Sequence, residues 1–167
     1  MGFEVNIGQL ACNRFLAAIE PAALEFIAYS AEARQLRAGD VLFRLNDVSH
    51  DGFAVLTGSI ALDPSGEGRA VARIIRPPSL IGELALITET RRPATAIARE
   101  PSTVLRISRQ LFHRALQEFP ESATRLHQSL SADMQQYMSR LGAVRETLSK
   151  GMEPENEGKV STNSSDS

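Results

Sequence analysis

The residues of this chain best suited to chemistry lie in one stretch, Pro77 to Ile97, which reads PPSLIGELALITETRRPATAI. It places a single carboxylate, Glu83, inside an apolar run, and Arg92 follows nine positions later. A buried strand tolerates neither ion without a partner. Gly82 lets the backbone approach a ligand closely. The N–H groups of Leu84, Ala85 and Leu86, in a short helical turn after it, form an anion site. Glu83 repels an anion there and suits a neutral hydroxyl donor instead. Arg92 carries a planar fork that matches two phosphate oxygens and keeps its charge when buried. Its small neighbours Pro93 and Ala94 leave room for a ligand. Ala94 and Thr95 add N–H donors, which Pro93 cannot. The combination fits a small molecule with a singly charged phosphate beside a sugar hydroxyl. Without the flanking residues, the same Glu and Arg read more readily as a structural salt bridge.

Three changes of texture define the elements that must hold these groups. Asn13 to Gln35 is Ala-rich, with apolar residues at helical spacing. Pro21 interrupts it and fits the first residue of a second helix, so the spacing predicts helices over 8–35. From 36 to 107 the period drops to two. VLFRL, GFAVLTGSIAL, AVARIIR, TAIA and TVLRIS are short β-rich runs separated by turn signals at Gly39-Asp40, Asn46-Asp47, Asp51-Gly52 and DPSGEG. Such spacing predicts a sandwich or small barrel. Helical character returns over 108–148, with Ser108 as N-cap and Pro120 opening a longer helix. Leu130, Met134, Tyr137, Leu141, Val144 and Leu148 form a coiled-coil-like seam on that helix. The polar stretch 149–167 is expected to be disordered.

Composition narrows the function classes. The 167 residues suffice for one domain with a real core, and the net charge of −2 gives no general reason to expect nucleic acid or an anionic membrane. Cys12 is the only cysteine, so neither an intramolecular disulfide nor a thiolate metal cluster can form. His50, His113 and His127 lack metal-ligand spacing, and no serine sits in a nucleophile elbow. No apolar run approaches the about 20 residues that span a bilayer, and no leader is evident. A cytoplasmic protein without metal, cofactor or catalytic residues is the expectation.

GELAL, then Arg92 nine positions after its Glu, then small residues and Thr, resembles the phosphate-binding cassette of cyclic nucleotide-binding domains. These occur in catabolite-activator-type regulators, regulatory subunits of cyclic-AMP-dependent protein kinase, and cyclic-nucleotide-gated channels. RAGDVLF resembles the family's glycine-aspartate turn, and GFAVLTGSIAL its strand and turn, with Gly58 at the turn. The resemblance spans roughly Asn13 to Leu148, with the cassette at 82–95. It implies an α+β fold, a small antiparallel β-barrel or jelly roll between N-terminal helices and C-terminal hinge and lid helices.

It further implies that Gly82, Glu83, Leu84, Ala85, Arg92, Pro93, Ala94 and Thr95 bind the ligand. Glu83 accepts from the ribose 2′-hydroxyl, and Arg92 pairs with the cyclic phosphate. Backbone donors come from Leu84, Ala85 and Thr95. Thr95 does not by itself separate cyclic AMP from cyclic GMP. Three positions depart from the family pattern: Arg91 replaces the usual proline, Pro78 a glycine before the cassette, and Asn46 a turn glycine.

The expected function is a sensor for a cyclic nucleotide, cyclic AMP ahead of cyclic GMP, that signals through its C-terminal helices to a protein partner or a homodimer across 126–148. Arg125, Gln128 and Gln135 are candidate lid contacts to the base. No helix-turn-helix follows the long helix, so DNA is not an expected partner, and a stand-alone receiver is. The rival reading is a ligand-independent interaction or dimerisation module with a degenerate pocket. A phosphodiesterase needs a metal cluster or general base beside the phosphate, which the cassette does not supply.

Overall fold

The computed structural model describes residues 7–67 and 73–151. The chain divides after Ser129 into two units. In the first, α1 (Ile7–Ala11) is followed by a 3-10 turn at Leu16–Ala18 and by α2 (Pro21–Ser30). Pro21 opens α2, where its missing N–H is no loss. The helix expected between Asn13 and Ile19 is only the 3-10 turn. Asn13 Oδ1 accepts from Phe15 N at 2.9 Å and Leu16 N at 3.3 Å, and this local capping tightens the backbone.

Among the described residues ten strands follow: β1 (Glu32–Leu36), β2 (Val41–Phe43), β3 (Val48–Ser49), β4 (Asp51–Thr57), β5 (Ile60–Asp63), β6 (Arg73–Ile75), β7 (Ser79–Ile81), β8 (Thr90–Arg91), β9 (Thr95–Ala98) and β10 (Ser102–Ser108). The α+β jelly roll consists of two four-stranded antiparallel sheets, ordered β1-β10-β4-β7 and β2-β9-β5-β6, and a β3-β8 ribbon. Part of the expected AVARIIR strand, residues 70–72, lies outside the described residues.

The sheets face each other across one apolar core. Phe53, Val55, Ile81 and Val104 meet Ile60, Ile75, Ala96 and Ala98, and Leu36, Leu42, Phe43 and Leu62 pack at its margin. Burying a side chain of this class contributes about 1.5–3 kcal/mol. The unbroken GFAVL run is explained by β4 being covered on both faces. Phe53 and Val55 enter the core, while Ala54 and Leu56 line a small apolar cavity with Leu10 and Leu16 of the helical layer.

β1 starts four residues earlier than the sequence pattern suggests. EARQL has no clear alternation, yet it pairs with β10 from Glu32↔Arg106 to Leu36↔Ser102. Arg106 Nη1 donates to Glu32 Oε2 at 3.1 Å across that pair. Tertiary pairing overrides weak local propensity here.

Behind the barrel, α3 (Arg109–Glu118) is capped by Ser108, whose Oγ accepts from Leu111 N at 3.1 Å. Phe112 of α3 stacks on Phe15, with ring centroids 5.6 Å apart. α4 (Pro120–Gly151) begins against α2, where Ser122 Oγ, fully buried, accepts from Glu20 N at 3.0 Å. Its helix extends past 148, and residues 152–167 of the expected disordered tail lie outside the described residues. In the second unit Met134 and Met138 are exposed. The side chains of the other seam residues Tyr137, Leu141, Val144 and Leu148 fall outside the described set, and Leu130 is half-buried.

Candidate functional site

The cassette has two arms. The first is a 3-10 turn, Glu83–Leu86, entered through Gly82 in the left-handed conformation, φ 75°. Any other L-residue is strained there. A side chain at this position would also strike the Arg92 guanidinium, because a Cβ built on Gly82 falls against Nη1. Two buried side chains, Ala85 and Leu86, root the turn. Leu86 packs where Gly52 leaves β4 bare, and a Cβ on Gly52 would come within 3.1–3.2 Å of it.

The second arm is the β3-β8 ribbon and the segment after it. Asn46 sits at φ 69°, so it takes the left-handed role of the turn glycine it replaces. Asn46 N donates to Arg92 O at 2.9 Å, and Arg92 N to Asp47 O at 2.8 Å. This pairing fixes the backbone on both sides of Arg92. Arg91 points outward, exposed, with Nη1 donating to Asn46 O at 3.0 Å.

Arg92 is only 5 % exposed. Nη2 donates to Asp51 O at 2.7 Å, and the guanidinium lies 4.2 Å from the Phe43 ring centroid and 5.5 Å from that of Phe53. Cation–π contact and one carbonyl compensate part of the desolvation. Burial nevertheless lowers its pKa, against the opposing attraction of Asp51 and Asp47. Among the described residues no carboxylate forms a salt bridge with Arg92, and Glu83 does not pair with it. The structural salt bridge is therefore not what holds these two ions.

Glu83 keeps solvent access, yet partial desolvation raises its carboxyl pKa. The turn's first internal bond runs from Ala85 N to Gly82 O at 3.0 Å. Ala85 N–H is thus engaged within the turn. The N–H groups before that bond, on Glu83 and Leu84, have no partner inside it. Leu84 projects outward, 61 % exposed. After Arg92, Pro93 is exposed and Ala94 and Thr95 are buried. Thr95 Oγ1 accepts from Leu45 N at 2.9 Å, so its hydroxyl helps to hold the loop that leaves β2. Gly82, Glu83, Leu84, Ala85, Arg92, Pro93, Ala94 and Thr95 therefore belong to one constellation, with Arg92 pressed against Gly82. Arg125 and Gln128 are exposed on α4, and Gln135 is exposed in the second unit.

Sequence reasoning missed several partners of this constellation. Phe43, Phe53 and the Asp51 carbonyl cradle Arg92 from other strands, and the unbroken apolar run of β4 gave no sign of which face Phe53 takes. Arg109, the first residue of α3, was also passed over. Its Nε donates to Ala85 O at 2.7 Å and its Nη2 to Ser49 O. Among the described residues no group of three or more His, Cys, Asp or Glu could hold a metal ion, and no helix is long and apolar enough to cross a membrane.

A buried guanidinium beside a glycine-entered turn, inside a jelly roll, is an arrangement with the chemistry to meet an anion. Residues 33–119 match the model of the cyclic nucleotide-binding domain, and the chain belongs to that family. It is 30% identical over 158 residues to lysophospholipase nte1 of Aspergillus fumigatus, covering 93% of this chain but 10% of the relative. The chain thus spans about a tenth of that protein's length. A cyclic nucleotide-binding-like protein of Brucella abortus is 34% identical, with a TM-score of 0.62 over 67% of this chain and 97% of that one. A chain solved in work on a cyclic-GMP-dependent signalling pathway in bacterial phytopathogenesis is 29% identical. Its TM-score is 0.56, over 70% of this chain and 95% of that one.

Proposed function

We propose that this protein is a cyclic nucleotide receptor, with cyclic AMP its preferred ligand, that passes its bound state to a partner through its C-terminal helices. The observation that carries this reading is Arg92: a buried cation without a carboxylate partner among the described residues, held against Gly82 and beside free N–H groups. The cyclic phosphate pairs with the Arg92 fork and takes the Leu84 N–H. Ala85 and Thr95 contribute backbone donors once the turn adjusts. Glu83, ionised, accepts from the ribose 2′-hydroxyl. Ala94 and Pro93 leave room at the phosphate. None of these groups acts as a catalyst.

Thr95 bears on the choice of base without deciding it. One hydroxyl lone pair is already used by Leu45 N–H. A guanine amino group has to compete for the acceptor capacity that remains. The relative named for a cyclic-GMP-dependent pathway supports the opposite preference, so both ligands belong in the test. A partner protein, or a second copy bound across 126–148, receives the signal, and Met134 and Met138 offer apolar surface for it.

Calorimetric titration of the wild type and of Arg92→Ala with each nucleotide tests the reading. Binding that collapses in the variant is the expected result, and the ratio of the two wild-type affinities names the messenger. No heat from either ligand at concentrations that reveal micromolar binding would leave a ligand-independent interaction module instead.

A further inference from the structure

We infer that Arg109 is a positioning residue that ties both arms of the cassette to α3, so that anion capture is read at this helix. The inference rests on the cyclic nucleotide reading above. Arg109 is half-buried at the first position of α3. Its guanidinium donates from Nε to Ala85 O at 2.7 Å and from Nη2 to Ser49 O at 2.5 Å. Its own backbone N donates to His50 O at 2.8 Å.

Those two carbonyls belong to different arms. Ala85 O lies in the turn that carries Glu83 and Leu84. Ser49 O lies on β3, and Ser49 Oγ donates to Thr90 O at 2.8 Å on β8, two residues before Arg92. One planar fork therefore spans the phosphate site from behind. A lysine cannot hold two carbonyls in this fixed geometry.

Neither capping nor charge pairing accounts for the residue. Ser108 already caps α3. A cation in the first turn opposes the helix dipole, and among the described residues no carboxylate forms a salt bridge with Arg109. What it does is fix the distance between the 83–86 turn and the β3-β8 ribbon, and refer both to α3. When an anion draws Leu84 N–H and Arg92 together, the two carbonyls shift relative to each other. Arg109 keeps both bonds only if the start of α3 follows. A ligand moves α3 only through such differential contacts.

Hydrogen exchange on the full chain, with and without saturating cyclic AMP, separates this link from simple support. In the wild type, amides of 83–86 and of α3 both change on binding. In Arg109→Gln, the 83–86 change persists at saturation, the α3 change is lost, and affinity falls about tenfold. Arg109→Lys gives an intermediate α3 response, and serves as the reading variant if Arg109→Gln does not fold. A wild-type α3 response retained in full by either variant overturns the inference. So does a wild type that binds cyclic AMP with no change in α3. A wild type in which 83–86 also stays unchanged, and which takes up no nucleotide, overturns the underlying receptor reading instead.

Discussion

Two arginines in this barrel approach the same residue and are treated in opposite ways. Arg106, on β10, has Nε 3.0 Å from Asp51 Oδ2 and donates from Nη1 to Glu32. Its pairing with Asp51, and then with Glu32, outweighs burial and raises its pKa. Arg92 takes only the Asp51 carbonyl, and burial lowers its pKa. The first cation is neutralised by its own chain. The second is buried with aromatic faces and a backbone dipole, which hold it in place without cancelling its charge. Arg106 is built for the fold, and in the proposed receptor Arg92 is built for an anion from outside.

Substituting each arginine by alanine breaks the comparison most sharply. Arg92→Ala is expected to lose cyclic nucleotide affinity by about 2–5 kcal/mol, read by calorimetry, while its melting temperature holds or rises because a desolvated cation is gone. Arg106→Ala is expected to do the reverse. It loses roughly 1 kcal/mol of stability in a denaturant titration, since a partly buried Asp51 is left unpaired, and it keeps its affinity within about threefold. Equal binding losses in the two variants would erase the distinction.

Gly82→Ala comes next. The positive φ costs about 1–2 kcal/mol, and the added methyl displaces the Arg92 guanidinium. Both stability and affinity should therefore fall, unlike in either arginine variant.

Glu83 sharpens the comparison through pH. Its carboxyl pKa is raised by desolvation in the native state. The native state thus holds its proton to higher pH than the unfolded chain does. Between the ordinary carboxylate pKa and the raised one, stability falls as pH rises. Glu83→Gln is expected to remove that slope and to be slightly more stable at neutral pH. Binding runs the other way, because the ionised form accepts from the ribose. Affinity should drop about tenfold in Glu83→Gln, and in the wild type it should decline as pH falls through the raised pKa. Titrations across acid pH with both proteins check the two signs.

The smallest effect belongs to Arg91. Exposed and bonded only to the Asn46 carbonyl among its described side-chain contacts, it should leave affinity within about twofold when changed to Ala. A larger loss would show that it competes for the phosphate.

The cassette was legible in the sequence because its parts are local. Gly82, Glu83 and the apolar turn are contiguous, Asn46 announces a left-handed turn by residue type, and Ser108, Pro21 and Pro120 mark helix starts by backbone chemistry. The two- and three-residue strands β3, β7 and β8 did not stand out, whereas β2, β4, β5, β6, β9 and β10 were legible through turn residues and β-rich runs. β1 was not. EARQL is a strand because β10 offers it a ladder and Arg106 a partner for Glu32, and a single-chain window contains neither.

The sequence by itself determined which groups could meet a phosphate and a hydroxyl, since residue chemistry and spacing within one segment do not depend on distant contacts. Tertiary structure decided that Glu83 and Arg92 are not each other's partner, that Phe43, Phe53 and Asp51 hold Arg92, and that Arg109 bridges the two arms from behind. Those facts rest on segments about 20 to 60 residues apart being folded together, and only the closed barrel sets those distances.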